Sequence, residues 1–148
     1  MKDLNREEKR TTRCVCLQLL FSSEMSNEYK IDDLLDNFFY KSSEPLVENI
    51  KQSQIDYIEK LYKTTISNKD EVDKIIEKKL NNWGMKRVAL IDKVILRMSI
   101  SEMLYIDEVP PKVSITEGVE IAKVFSTDDS SSFVNGILDA VYNKIYKK

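Results

Sequence analysis

The sequence predicts an all-α fold of about seven helices in a single domain. Three observations carry that expectation. Apolar residues recur at helical spacing along most of the chain, and strand-like alternation is nearly missing. Gly and Pro number three each, too few for turn-rich β architectures or disordered tracts. Apolar residues make up 42% of 148, enough for one packed core.

The first helix is expected from Arg6 to Met25, with Cys14, Leu17, Leu20, Phe21 and Met25 on one face. Val15, Cys16 and Leu19 widen that apolar arc, and Ser26-Asn27 stops the helix. A short amphipathic helix follows from Ile31 to Tyr40, broken by Lys41-Ser42-Ser43-Glu44-Pro45. The next runs from about Leu46 to Ser67, with Ile50, Ile55, Ile58, Leu61 and Tyr62 inward. After Ser67-Asn68 comes a helix with Val72, Ile75, Ile76 and Leu80 inside, ending near Asn81-Asn82. Trp83 and Gly84 punctuate. A long apolar helix from about Lys86 to Ile106 is the expected centre of the bundle. Pro110-Pro111 forces a break, and Ser114 with Glu117 reads as a capping box for a helix to Phe125. Asp128-Asp129-Ser130 is the expected cap of a last helix through Tyr146, with Phe133, Ile137, Val141 and Ile145 inward.

Charge is abundant at 32%, but the signs nearly cancel to −2, so no global field marks a nucleic-acid binder. Any such contact must come from a local patch or a basic partner. Cys14 and Cys16 are two residues apart on a helix and point to different faces, which suits free thiols in a reducing cytosol. The opening MKDLNREEKR lacks an apolar run, so no secretory leader is expected. No segment approaches the ~18 apolar residues of a membrane span. A cytoplasmic protein is expected. Histidine is absent, which removes the commonest general base and metal ligand. There is no glycine-rich phosphate loop, nucleophile elbow or CxxC, and the carboxylates are scattered. No enzymatic activity, cofactor or metal is expected.

Three segments, in order and spacing, resemble the NusB family of bacterial transcription antitermination factors. The first is Lys9-Arg10-Thr11-Thr12-Arg13 leading into Val15 through Ser22. The second is Trp83, then Ile91 through Met98, then Glu102-Met103-Leu104. The third and most specific is Val109 through Lys123, continuing from Phe133-Val134-Asn135-Gly136 to Asp139. The resemblance covers roughly residues 6–25 and 83–141; between them only the helical pattern matches. It implies two packed three-helix units plus one extra helix. It also implies binding to single-stranded boxA RNA of ribosomal RNA operons, a heterodimer with the ribosomal protein NusE, and entry into an RNA polymerase antitermination complex, with no catalysis and no membrane. The resemblance also leaves open a homodimer that would hide the arginine helix.

The residues themselves bear on that reading. On an ideal helix Arg6, Lys9, Arg10 and Arg13 fall within about a 100° arc, placed to track phosphates. The bland alternative is a solvated basic face balanced by Asp3, Glu7 and Glu8. Four phosphate contacts to single-stranded RNA would give a log–log salt slope of about −3, modest enough to need a partner. Phe21 and Phe133 offer rings for stacking, though Phe133 reads more often as core; Gln18 and Asn135 offer amides. Ser130, Ser131 and Ser132 at a helix start form a candidate phosphate site, or simply a cap. By the resemblance, Asp92 faces the basic partner; an ion pair with Lys93 or Lys86 is the structural alternative.

The chain departs from the family pattern in three places. Thr11 and Ser131-Ser132 stand where basic residues are common, and Thr116-Glu117-Gly118 stands where Asn-Glu-Ala is usual. The last departure puts a glycine inside a helix at a cost of ~1 kcal/mol. The thinned charge motivates a second reading, a protein–protein adaptor on the same fold with little RNA binding of its own. A third is the RNA-binding appendage of an RNA methyltransferase, for which these residues carry no cofactor motif.

Overall fold

The computed structural model describes residues 3–35, 50–80 and 84–147. Among these stand seven α-helices: α1 (Arg6–Ser26), α2 (Ile31–Leu35), α3 (Gln52–Ser67), α4 (Lys69–Lys79), α5 (Leu90–Tyr105), α6 (Pro111–Phe125) and α7 (Asp128–Tyr146). No strand occurs among the described residues. The expected end of the second helix at Tyr40, the break at Lys41–Pro45, the start at Leu46 and the Asn81-Asn82-Trp83 punctuation lie outside them. Two compact units are distinguished, residues 1–63 and 64–148.

In the first unit, α1 opens with a capping box: Asn5 Oδ1 accepts from the Glu8 N–H at 2.8 Å and Glu8 Oε1 from the Asn5 N–H at 3.0 Å. It ends on Asn27, whose left-handed φ of 61° is the helix stop the sequence implied. The buried face differs from the expected one. It consists of Thr12, Arg13, Val15, Cys16, Leu17, Leu19, Leu20 and Ser23, while Cys14 and Phe21 are half-buried and Met25 is 68% exposed. Helix α3 begins at Gln52, because Ile50 and Lys51 are not helical. Its Gln54 has a buried side chain that uses both ends of its amide. Oε1 accepts from the Lys51 N–H at 2.9 Å, and Nε2 donates to Glu8 O at 3.1 Å and Thr12 Oγ1 at 3.2 Å. This ties the start of α3 to the first turns of α1.

Further along the same pair, the buried Tyr62 hydroxyl donates to Tyr29 O at 3.0 Å and lies 2.6 Å from Ser23 Oγ. Burial pushes its pKa up, opposed by the Ser23 contact. A folded-state pKa raised above the unfolded value contributes stability that is complete below about pH 10 and lost as pH rises through the folded value. Tyr62→Phe should therefore lower stability by about 1–2 kcal/mol at neutral pH and reduce its alkaline decline. Urea melts at neutral pH and at pH 11 measure both; equal alkaline sensitivity in the two proteins would refute the assignment.

In the second unit, α5 is the central helix, buried nearly all round through Val94, Ile95, Leu96, Met98, Ile100 and Met103. Helices α6 and α7 pack against it and each other, and α4 packs on α5 and α7. The expected start at Lys86 is replaced by a 3₁₀ turn, Met85–Arg87, and an extended Val88 before α5 begins. Helix α6 starts at Pro111, three residues before the expected cap, because proline's fixed φ and missing N–H suit the first helical position. Ser114 and Glu117 are consequently interior and buried, and Ser114 Oγ donates to Glu102 Oε1 at 2.8 Å. The cap of α7 is Thr127, whose Oγ1 accepts from the Ser130 N–H at 3.1 Å. Asp128 and Asp129 instead occupy the first turn, where carboxylates complement the helix dipole. The inward register of α7 is Ser131, Val134, Ile137, Leu138 and Val141; Phe133 is half-buried and Ile145 is 37% exposed, against expectation.

Among the described residues, no helix is long and apolar enough to cross a membrane.

Candidate nucleic-acid interface

At 100° per residue, α1 divides into a buried side and a strip that reaches solvent. Arg13 falls between Leu17 and Leu20 on the buried side and is 3% exposed, a correction to its expected place among the surface cations. Arg6 is exposed, and Lys9 and Arg10 are half-buried with solvent access. Gln18 and Phe21, both half-buried, continue on the same side as Arg10. At ~1.5 Å rise per residue, Phe21 lies about 16 Å beyond Arg10 along the axis. Arg10 thus comes first on this strip, and an amide and an aromatic ring follow; Arg6 and Lys9 share the arc of Arg13 and reach solvent from the first turns of the helix.

The corner where the strip starts is held by polar contacts. Lys51 Nζ meets Glu8 Oε2 at 2.8 Å, and Ser53 Oγ donates to Asp3 Oδ2 at 2.8 Å. The Lys51 contact, with the Asn5 N–H, lowers the Glu8 pKa, and the Ser53 hydroxyl lowers that of Asp3. Both carboxylates therefore stay ionised beside the cations and trim the positive potential. Lys51, missed in the sequence, is an added cation here, engaged by Glu8.

In the second unit, Ser132 and Phe133 line a cleft of about 390 Å³ together with Lys79, Leu80, Gly136, Ile137 and Ala140. A side chain on Gly136 would meet open space, so its bareness keeps the cleft open rather than admitting a close packing partner. Asn135 is exposed on α7 outside the cleft lining. Ser131 is a correction: it is 7% exposed, and its hydroxyl donates to Asp128 O at 2.8 Å. The expected phosphate site also loses donors. The Ser130 N–H is taken by Thr127 Oγ1 and the Ser131 N–H by Thr127 O at 2.9 Å, beside two exposed aspartates. Lys79 and Leu80 were not found in the sequence, because the end of α4 and the start of α7 meet only through tertiary packing.

Asp92 is 5% exposed and accepts a hydrogen bond from Ser126 Oγ at 3.0 Å. Its carboxylate faces the α6–α7 turn and not open solvent, and the observed partner is Ser126, not Lys93 or Lys86.

Comparison with known proteins places this arrangement. A model of the NusB family matches residues 10–143. A Chloroherpeton thalassium protein named transcription antitermination protein NusB is 44% identical over 140 residues, 95% of this chain. The chain spans 64% of that relative's length. A Listeria monocytogenes serotype 4b protein of the same name is 40% identical over 131 residues, 88% of this chain and 93% of that protein. Among solved structures, T. maritima NusB superposes with a TM-score of 0.78 at 27% identity, covering 91% of this chain and 90% of that one. A chain from the crystal structure of antitermination factors NusB and NusE in complex with dsRNA shares the fold, with a TM-score of 0.79 at 21% identity over 95% of this chain and 99% of that one. Matched by the family model along nearly all its length and by relatives at this level of identity, the chain belongs to the NusB family.

Proposed function

We propose that this chain is a cytoplasmic transcription antitermination factor. It binds boxA RNA of ribosomal RNA operons together with NusE and enters an RNA polymerase complex that resists premature termination. The reading assigns it binding and no catalytic step. The observation that carries it is the solvent-reaching start of α1, Arg6, Lys9 and Arg10 for phosphates, with Gln18 and Phe21 further along the side of Arg10 for a splayed base. Family membership supports it, as does the likeness of fold to a NusB crystallised with NusE and RNA. Ser132, Phe133 and Asn135 form a second contact region on α7. The buried Arg13 and Ser131 enter as residues that shape α1 and α7, not as RNA contacts. Asp92 enters through the turn it holds by way of Ser126, where NusE docks.

With Arg13 buried, three phosphate contacts remain, and the salt slope for single-stranded RNA becomes about −2 (three contacts at ~0.7 each). Binding by the chain alone should be weak and strengthened by NusE. Arg6→Glu with Arg10→Glu should weaken boxA binding at least about tenfold while leaving helicity and NusE association intact. Gel shifts with boxA and a scrambled RNA, with and without NusE, test this. Absence of any boxA preference in both conditions would sink the proposal in favour of the adaptor reading. That alternative is favoured by one observation, the acidic first turn of α7, where Asp128 and Asp129 stand beside the second contact region.

A further inference from the structure

A second groove in the 64–148 unit shares Lys79 with the cleft beside Phe133 but no other lining residue. It encloses about 360 Å³ between α4 and α7 and is lined by Ile75, Lys78, Lys79, Val141, Lys144 and Ile145. Its apolar side is real surface: Ile145 is 37% exposed and Ile75 half-buried over a buried Val141. Its rim is wholly cationic, and no carboxylate lines it. Lys78 and Lys144 are exposed, and neither makes an ion pair among the described residues.

We propose that this groove is a docking site for an acidic amphipathic helix of a protein partner. Aliphatic side chains of the partner would fill the groove over Ile75, Val141 and Ile145, and flanking carboxylates would meet Lys78, Lys79 and Lys144. Recognition of this kind needs an apolar stripe and complementary charge, and both are present. RNA is the poorer fit. Phosphates gain nothing from an aliphatic floor, and no ring lines the groove for a base to stack on. The lysines also sit near the C-termini of α4 and α7, where cations complement the helix dipole. That alone would account for the charge but not for the open aliphatic floor beneath it.

The test uses the full chain and a labelled synthetic helix with Leu at heptad a and d positions and Glu elsewhere, followed by fluorescence anisotropy. Saturable binding that weakens with salt is expected. Lys78→Glu with Lys144→Glu should weaken it about tenfold, and Ile145→Glu should weaken it similarly, with circular dichroism unchanged. The Arg6→Glu, Arg10→Glu variant should bind the helix normally, which separates this result from the boxA assay. The inference is overturned by equal binding of a Leu/Lys helix, or by indifference to the lysine reversals. Indifference to Ile145→Glu would reduce the site to diffuse charge and also overturn it. Displacement of the peptide by RNA, or a groove-dependent dimer in sedimentation, would assign the surface to nucleic acid or to a second copy instead.

Discussion

Gly118→Val is expected to destabilise the protein by about 3 kcal/mol, seen as a lower urea midpoint at unchanged slope. A glycine in the middle of α6 costs ~1 kcal/mol in helix propensity, so the sequence alone makes the position look like a defect. The structure supplies the reason for it. A Cβ built at Gly118 would lie 2.6 Å from Ser99 Oγ, 3.3 Å from Ser99 Cβ and 3.0 Å from Leu138 Cδ1. Both neighbours are buried, Ser99 on α5 and Leu138 on α7. Glycine is therefore where three helices come closest, and the bare backbone is the packing surface. Alanine would regain the propensity but force Ser99 and Leu138 apart, for a net loss of about 1 kcal/mol. Valine adds two methyls that have nowhere to go. Ser99→Gly should recover much of the alanine loss, a coupling a double-mutant cycle measures directly. A Gly118→Ala protein stabilised by the full propensity gain would show that the contact is slack.

Most of the helical framework was legible because helical periodicity reports burial over many turns. The central, all-round apolar α5 and the end of α1 at Asn27 are cases where pattern and packing agree. Helix starts were less legible. Ser114 and Glu117 have the spacing of a capping box, but Pro111 begins the helix earlier, and both turn inward, Ser114 to bond Glu102. The capping box that forms, Asn5 with Glu8, uses the same chemistry at the start of α1. Near α7, Thr127 outcompeted the aspartates for the cap because it stands one residue earlier, at the extended position from which a side chain reaches the N–H three residues on.

The candidate site was legible in part. Arg6, Lys9 and Arg10 could be placed on one side of α1 from spacing alone. Arg13 carried a signal that points the other way: Leu17 and Leu20 stand four and seven positions on, so a helix that buries them buries Arg13. Reading the charge without that stripe overcounted the surface cations. Phe133 looked inward by spacing from Ile137, yet the register is set by Val134 and Leu138, which leaves its ring on a cleft wall. The remaining members of that cleft, Lys79 and Leu80, come from a helix more than fifty positions earlier, a juxtaposition no local pattern encodes.

The same limit applies to a part-buried charged contact in the second unit, and it yields the other large effect. Asp73→Ala is expected to cost about 2–4 kcal/mol. Arg97 on α5 holds Asp73 on α4 through two bonds, Nε to Oδ1 at 2.7 Å and Nη2 to Oδ2 at 3.0 Å. The Arg97 side chain is only 11% exposed and that of Asp73 22%, so water cannot readily replace either partner. Deleting the carboxylate leaves a guanidinium in the interior that cannot give up its proton, and the loss is mainly that desolvation. The pair itself adds far less than its deletion costs. Asp73→Leu with Arg97→Met, which removes both charges and leaves apolar side chains in their place, should therefore be much closer to the parent than Asp73→Ala. Arg97→Lys should fall between, because one ammonium cannot make both bonds. Chemical denaturation of the four proteins decides the matter. If Asp73→Ala and the double replacement lose the same stability, the contact acts through the packing of α4 on α5 and not through its charge.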